Sequence, residues 1–369
     1  MSDNRVTKMK HQVTPEELAG LGKVPRFDEK LDDDDDDEIE VIYKRGDTKI
    51  SLAKPSRAVY FGDKAVYDQE ASIFRQGELS EILALSEFPR NDQYFGDLQR
   101  GCRNGIVIPF IGAGMSVSAG CPSWRRYLIS LCREAHLDEP AFVARLDEQG
   151  DYEGVMEDII DALGEHRFER DFERDFNKID LASSTVAMLP KLFSRCAITT
   201  NFDRVTEEAW SKVGLSFREK VFGRGNTGAF FRAVASGDRY LLKLHGNLDS
   251  PAERVLRKTE YDAAYGDGGN IHFESPIPKL LRRLYMSYSL LFLGCSLAAD
   301  RTIQTFMRVA KQEGAGNLPH HYAILSCPPD PGRRKVMEER LAQAHITPLW
   351  YPDSEHEHVE QILGLLLDG

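Results

Sequence analysis

The sequence predicts an α/β protein built on a doubly wound parallel sheet. From about Gly105 onward, short and nearly uninterrupted apolar runs alternate with segments in which apolar residues have helical spacing. Strands covered by helices on both faces have this apolar character, and their alternation with helices favours parallel pairing through right-handed crossovers. The clearest run, Ile106–Ile111, reads IVIPFI and continues directly into Gly112-Ala113-Gly114.

The predicted strands and helices alternate over most of the chain after residue 105. The predicted strands are Ile106–Ile111, Cys196–Thr199, Tyr240–Leu244, Leu290–Leu293, Tyr322–Leu325 and Thr347–Tyr351. The helices predicted between and after them are Trp124–Ala135, Arg204–Val213, Arg301–Lys311, Arg333–Ala344 and His358–Leu367. The interval 136–193 has no strand signal and is predicted to form a helical subdomain. Within it, Tyr152–Leu163 places its apolar residues on one face.

Composition excludes several classes of protein. The chain has 369 residues, and its 47 Lys and Arg against 59 Asp and Glu give a net charge of −12. Direct binding to nucleic acid is not expected, because phosphate backbones are bound by clustered basic side chains. No apolar run approaches the roughly 18 residues of a membrane span, and the first ten residues lack the apolar core of a signal peptide. Six cysteines in so long a chain do not form a disulfide framework, so a cytoplasmic protein is expected.

Residues 1–100 are predicted to be an acidic N-terminal extension, partly disordered, that precedes a main domain at residues 101–369. The run Asp32–Asp37, followed by Glu38 and Glu40, predicts a mobile tract because like charges repel and stay solvated. A tail that docks a partner is the alternative interpretation. The local patterns predict a hairpin from Ile39–Tyr43 and Lys49–Leu52, a third strand at Ala58–Phe61 and a short helix at Ser80–Ser86.

The segment Gly112–Gly120, which reads GAGMSVSAG, is typical of a phosphate-binding loop after a buried strand. Glycine lets backbone amides approach a diphosphate closely, and a helix amino terminus adds partial positive charge. An ordinary turn from strand to helix is the alternative. The signature of nucleoside-triphosphate loops, G-x-x-x-x-G-K-[S/T], is absent from the sequence.

Polar or small residues also follow three other predicted strands, at Thr199–Asp203, His245–Asn247 and Gly294–Leu297. Ligands of open α/β sheets bind beyond the carboxyl ends of the strands, so these loops are expected to share one site with the glycine loop. Each residue also has a structural alternative. Asn201 is a possible helix cap, His245 a hydrogen-bonded core histidine and Gly294 a simple turn residue.

Four motifs together resemble the sirtuin family. GAGMSVSAGCPSWR at Gly112–Arg125 resembles the sirtuin GAG-x-S segment and the G-x-P-D-F-R that follows it, and TTNFD at 199–203 resembles T-Q-N-x-D. LKLHG at 242–246 resembles the strand that carries the sirtuin His-Gly, and GCSL at 294–297 resembles G-T-S-L. The resemblance covers roughly residues 105–367 in the expected order. It implies a Rossmann-like domain that binds NAD+.

The chain also departs from sirtuin deacylases. Those enzymes carry two Cys-x-x-Cys pairs that bind zinc, and none of the six cysteines here has that spacing, so no metal is expected. Ser123-Trp124 replaces the Asp-Phe of the sirtuin loop. His320-His321 and His356-Glu357-His358 are predicted to be surface histidines rather than metal ligands. These features are similar to the sirtuin-like NAD+ hydrolases of bacterial anti-phage defence.

The resemblance implies roles for individual residues, with NAD+ as the substrate. His245 is the expected general base, Asn201 orients water and a ribose hydroxyl, and Asp203 contacts the nicotinamide carboxamide. The remaining expected contacts are Gly112, Ala113, Gly114 and Ser116 to the diphosphate, Gly294, Ser296 and Leu297 to phosphate and adenosine ribose, and Trp124 and Arg125 on the nicotinamide side. An exposed helix position is the alternative for Arg125.

The resemblance also implies partners and leaves alternatives open. A homo-oligomer is expected, together with a separate sensor partner such as a translocase-type ATPase or an Argonaute-like protein. An NAD-dependent protein deacylase and a non-catalytic module that senses NAD+ or ADP-ribose are the competing functions. The sequence leaves open whether a cyclic product is formed.

Overall fold

The computed structural model describes residues 25–33, 41–45, 48–52, 55–182, 184–223, 225, 228–298 and 300–367. These residues belong to two compact units, one that extends to Glu87 and one that runs from Phe88 to Leu367.

The smaller unit is a set of helices with one hairpin. Its elements are α1 (Pro25–Asp33), β1 (Val41–Arg45), β2 (Thr48–Leu52), α2 (Pro55–Gly62) and α3 (Lys64–Ile82). Strands β1 and β2 pair antiparallel, with Val41 opposite Leu52, which confirms the predicted hairpin. Phe27, Tyr60 and Tyr67 form its aromatic core, and the Tyr67 hydroxyl donates to Asp28 Oδ1 at 2.6 Å.

In this unit two predicted elements are corrected, and part of the predicted acidic tract lies outside the described residues. Ala58–Phe61 lies in α2 rather than in a strand, because Tyr60 packs edge-on against Tyr67 of the neighbouring helix. Only Ser80–Ile82 of the predicted helix Ser80–Ser86 is helical, as the end of the much longer α3, and residues 83–87 form turns. The Asp63 carboxylate caps the start of α3. Asp32 and Asp33 end α1, whereas residues 34–40 of the acidic run lie outside the described residues.

The larger unit contains a parallel sheet of seven strands among the described residues. The strands are β3 (Val107–Ile111), β4 (Ala197–Thr199), β5 (Glu219–Phe222), β6 (Tyr240–Lys243), β7 (Ser289–Leu293), β8 (His321–Ser326) and β9 (Ile346–Tyr351). Their order is β5-β6-β4-β3-β7-β8-β9, and every pairing is parallel. The predicted α/β class and the six predicted strands are confirmed, while β5 was not predicted.

Helices precede, connect and follow the strands of this unit. They are α4 (Asn91–Arg103), α5 (Ala113–Val117), α6 (Trp124–Glu134), α7 (Glu139–Ala144), α8 (Tyr152–Leu163), α9 (Glu165–Phe176), α10 (Leu189–Leu192), α11 (Val205–Lys212), α12 (Gly228–Ser236), α13 (Lys258–Tyr265), α14 (Pro276–Ser287), α15 (Arg301–Glu313), α16 (Pro331–Ala344) and α17 (Glu357–Leu367). Helix α4 buries Phe95 and Leu98, and the Asn91 side chain bonds the backbone of Trp350 in β9 in both directions. The predicted boundary at residue 100 therefore falls inside α4, and the larger unit begins earlier.

The chain reverses direction across the sheet between β3 and β7. From β3 it proceeds to β4, β5 and β6 on one side, and from β7 it proceeds to β8 and β9 on the other. All residues of β3 and β7 are buried, as expected for central strands covered on both faces. This topological switch point is where ligands of open α/β sheets bind, and the loops after β3 and β7 meet there.

The interval 136–193 is helical in its described residues, as predicted, and it packs onto the sheet unit through aromatic rings and arginines. Phe168, Phe172 and Phe176 recur every fourth residue of α9 and are buried. The Phe172 ring lies 5.5 Å from that of Phe202, just beyond β4, and the Arg254 guanidinium lies 4.9 Å above it. The same Arg254 donates to both carboxylate oxygens of Glu169, at 2.9 and 2.7 Å.

Candidate active site

The loops after β3 and β7 are packed together through glycine. Gly294 has a φ of +62°, and a Cβ atom at this position would lie 2.4 Å from the Met115 amide nitrogen. A Cβ atom at Gly112 would lie 2.5 Å from the Gly294 carbonyl oxygen. The amides of Gly112 and Gly114 donate to the carbonyls of Leu293 and Gly294, at 2.8 and 2.9 Å. Two amides predicted to hold a diphosphate are therefore engaged by the neighbouring loop, while Ala113 begins α5.

Asn201 is buried beside this junction, with 5% of its surface exposed. Its Nδ2 donates to the Gly112 carbonyl and to Ser116 Oγ, both at 3.0 Å. Because a carbonyl only accepts hydrogen bonds, the contact with Gly112 fixes which way the amide points. Its Oδ1 is buried and has no hydrogen-bond partner among the described residues. An acceptor for a ligand or water donor is thus held in a fixed position.

Ser116 and Asp203 extend the cluster that Asn201 forms. The buried Ser116 hydroxyl accepts from Asn201 and donates to the Asp203 carboxylate. Asp203 Oδ1 accepts from the Val205 amide at 3.0 Å, so Asp203, rather than Asn201, caps the start of α11. Burial raises the pKa of Asp203, and the nearby Lys243 ammonium and the Ser116 bond oppose this shift. The Lys243 ammonium is fully buried and donates to the Asp203 carbonyl at 2.6 Å and to Glu207 at 3.0 Å.

His245 lies beyond the adjacent strand end. Thr199 of β4 pairs with Lys243 of β6, and Asn201 and His245 each follow this pair by two residues. The imidazole is buried, and its Nε2 lies 2.7 Å from the Tyr265 hydroxyl. Its Nδ1 lies 3.4 Å from the Tyr261 hydroxyl, at the limit of a hydrogen bond. Burial lowers the pKa of His245 to about 4, so the imidazole is neutral at pH 7.

The other predicted contacts occupy varied positions. Trp124 is partly buried, and its ring lies 5.9 Å from that of Phe202 at a tilt of 32°. Arg125 is exposed and makes two 2.7 Å bonds to the carboxylate of Asp147. Ser296 is exposed, whereas Leu297 is buried at a φ of +46°.

Sequence reasoning missed the residues around the imidazole. Tyr261 and Tyr265 lie one turn apart on α13, both face His245, and burial raises the pKa of each phenol. At the start of α15, Thr302 Oγ1 lies 3.1 Å from the Tyr265 hydroxyl, and the Arg301 guanidinium lies 5.6 Å from the centre of the Tyr261 ring. The i, i+4 spacing of the two tyrosines was the available signal for a shared helix face.

His321 corrects a second prediction, because it is fully buried at the start of β8 rather than at the surface. Its ring stacks on that of Tyr285, with centroids 3.6 Å apart, and its Nδ1 accepts from the Leu290 amide at 3.3 Å. Burial lowers the pKa of His321 to about 3. The side chain is therefore a neutral core residue at pH 7.

We expect the free energy of unfolding to decrease as the pH falls below about 6.5. Both His245 and His321 have lowered pKa values in the folded chain, so the unfolded chain binds more protons between pH 6.5 and 4. The two neutral histidines contribute fully to the free energy of unfolding above pH 6.5, and this contribution is lost as the pH falls toward their pKa values in the folded chain. Between pH 7 and 5 the loss is roughly 2 kcal/mol per histidine. Urea unfolding at pH 7, 6 and 5 measures the slope. His321→Gln is expected to flatten it and the exposed His320→Gln is not; an equal slope in all three proteins would contradict the assignment.

Metal and membrane features are few in the described residues. Glu355, Glu357 and His358 have ligand atoms within 4.8 Å of one another at the surface. His358 is also engaged there, since its ring stacks on that of Tyr351. None of the described helices has both the length and the apolar character needed to cross a bilayer.

Residues 195–349 match the family model of the SIR2-like domain. Over these residues the chain is similar to the SIR2-like domain. Asn201, Asp203 and His245 lie inside this matched range. Gly112 lies outside it, and its carbonyl accepts a hydrogen bond from Asn201. The sirtuin-like resemblance inferred from the motifs is confirmed.

The chain is also similar to two curated proteins, and both are called NAD(+) hydrolase ThsA. The protein from Bacillus cereus (strain MSX-D12) is 25% identical over 225 residues, which cover 58% of this chain and 42% of that protein. The protein from Cytobacillus dafuensis is 24% identical over 153 residues, which cover 42% of this chain and 29% of that protein. The chain thus spans less than half the length of the curated relatives it matches.

Proposed function

We propose that the chain is an NAD+ glycohydrolase that cleaves NAD+ to nicotinamide and ADP-ribose. The observation that carries the proposal is the buried Oδ1 of Asn201, which has no partner among the described residues and lies at the switch point of the sheet. Leaving such an acceptor unsatisfied costs about 1–3 kcal/mol, and a ribose hydroxyl or a bound water supplies the missing donor. The likeness to proteins called NAD(+) hydrolase supports the substrate.

The reaction replaces the glycosidic C–N bond of NAD+ by a bond from C1′ to water oxygen. The bonding electron pair leaves with the nicotinamide nitrogen, so the ring departs neutral and positive charge develops on the ribose. Water then adds at C1′ and gives one proton to the neutral imidazole of His245, which releases it to solvent. Asn201 holds the water and a ribose hydroxyl in place, and such positioning lowers the entropic part of the barrier.

The proposed binding contacts follow the family resemblance. Asp203 contacts the nicotinamide carboxamide, and its carboxylate is held in position by the hydrogen bonds from Ser116 and from the Val205 amide. Trp124 and Arg125 line the nicotinamide side. The two loops at the switch point contact the diphosphate and the adenosine ribose through Ala113, Ser116, Gly294, Ser296 and Leu297. Gly112 and Gly114, whose amides already donate to Leu293 and Gly294, allow the close packing of the two loops.

The test is to incubate the purified chain with NAD+ and to quantify the products by mass spectrometry. We expect nicotinamide and ADP-ribose in equal amounts without an acyl-peptide substrate. Release of O-acetyl-ADP-ribose only in the presence of an acetylated peptide would replace the proposal by a deacylase. NAD+ binding in calorimetry without any product would replace it by a sensing module, and a cyclic ADP-ribose product would change the final acceptor of the ribose.

The proposal extends to a cytoplasmic effector that depletes NAD+ during anti-phage defence. The family resemblance supports a homo-oligomer gated by a separate sensor, such as a translocase-type ATPase or an Argonaute-like protein. Uncontrolled loss of NAD+ harms the host, so control of activity is expected. Cellular NAD+ measured after phage infection should fall in cells with the wild-type chain and hold steady with His245→Gln. Equal NAD+ levels in both would contradict the defence role.

A further inference from the structure

A chain of buried hydroxyl groups leads away from His245. Its Nε2 lies 2.7 Å from the Tyr265 hydroxyl, which lies 3.1 Å from Thr302 Oγ1. The exposed fractions of His245, Tyr265 and Thr302 are 7%, 0% and 8%. The shorter contact binds Nε2 firmly, whereas Nδ1 has only the marginal contact to Tyr261. Nδ1 is therefore the nitrogen that remains available to a substrate.

We propose that Tyr265 is the positioning residue for His245. Its hydroxyl oxygen accepts a hydrogen bond from the Nε2–H of His245, and its O–H donates a hydrogen bond to Thr302 Oγ1. This arrangement keeps the lone pair on Nδ1, where a general base needs it. The inference rests on the proposed function, in which His245 takes a proton from water. The reverse arrangement, with Tyr265 donating to Nε2, places the proton on Nδ1 and leaves the imidazole without a free acceptor.

The surroundings support a neutral phenol with a fixed position. Burial raises the pKa of Tyr265, and the charged groups that act on it are Asp300, Glu153 and Arg301. Tyr261 is the other titratable side chain in contact with the imidazole. Arg301 donates to Asp262 Oδ1 at 2.7 Å and to the Gly266 carbonyl at 2.9 Å, which ties the tyrosine-bearing helix α13 to α15. A base oriented by a third group is the usual design of such sites.

The first experiment reads the tautomer of His245 by ¹⁵N NMR of histidine-labelled protein. The His245→Gln variant assigns the signal, because only that imidazole disappears. We expect a protonated Nε2 and an unprotonated Nδ1 in the wild type, and a mixture of tautomers in Tyr265→Phe. The matched control is Tyr285→Phe, which removes a buried hydroxyl that donates to the Ala344 carbonyl elsewhere in the core. A protonated Nδ1 in the wild type, or an unchanged tautomer in Tyr265→Phe, would overturn the proposal.

The second experiment measures NAD+ turnover in the same variants. Tyr265→Phe is expected to lower kcat about 10- to 100-fold with little change in KM, because orientation of the base is lost while substrate contacts remain. Thr302→Val should lower kcat in the same direction and Thr302→Ser should restore it, whereas Tyr285→Phe should match the wild type. An unchanged or raised kcat in Tyr265→Phe would show that the tyrosine does not serve the base. If the wild type turns over no NAD+, the proposed function fails, and the tautomer measurement still decides the role of Tyr265.

Discussion

His245→Gln and Asn201→Ala are each expected to lower the rate of NAD+ consumption about 10²- to 10⁴-fold, the usual cost of losing a positioned acid or base. Glutamine keeps an N–H that reaches Tyr265 but has no group that accepts a proton near neutral pH. Alanine at position 201 removes the buried Oδ1 that has no hydrogen-bond partner among the described residues, together with the Nδ2 that donates to Gly112. Initial rates of nicotinamide release at saturating NAD+ measure both effects.

The two variants need controls that separate chemistry from folding. Circular dichroism and thermal unfolding should show that both remain folded, although Asn201→Ala loses bonds to Gly112 and Ser116 worth about 1 kcal/mol each. His320→Gln and Asn317→Ala change the same residue types at exposed positions and should keep full activity. Full activity in His245→Gln and Asn201→Ala would remove the basis of the proposed site.

The central strands were predictable because strands buried on both faces consist almost entirely of apolar residues. β3 and β7 are apolar at nearly every position, and both lie in the middle of the sheet. β5 reads EKVF, mixes charged and apolar residues and lies at the edge of the sheet, so its sequence carries no such signal.

The site was predictable only where chain order places residues at strand ends. Asn201 and His245 follow strands that pair with each other, which parallel topology alone brings to one edge. Tyr265 and Thr302 reach the imidazole through packing of α13 and α15, and no local pattern encodes that contact. The glycines illustrate the same limit, since a glycine that packs against another loop and one that faces a phosphate look alike in sequence.

Arg301→Met is expected to lower the free energy of unfolding by about 3–5 kcal/mol, the usual cost of removing one partner of a buried ion pair. The Arg301 side chain is 6% exposed, and its guanidinium donates hydrogen bonds to both carboxylate oxygens of Glu153, at 2.9 and 2.6 Å, and to Asp262. Without it, two carboxylates face each other with no cation between them. Burial already raises the pKa of Glu153 despite the arginine. Urea unfolding at pH 7.5 measures the loss.

The matched control is Arg125→Met. Arg125 also donates two hydrogen bonds to one carboxylate, that of Asp147, at 2.7 Å each, but its side chain is 44% exposed. Exposed pairs contribute about 0.2–1 kcal/mol, so the two substitutions should differ several-fold in cost although they break equivalent hydrogen bonds. Arg301→Met should also lower NAD+ turnover, because Arg301 holds the helix that carries Tyr265 against α15. Equal costs for both arginines would mean that burial does not set the strength of these pairs.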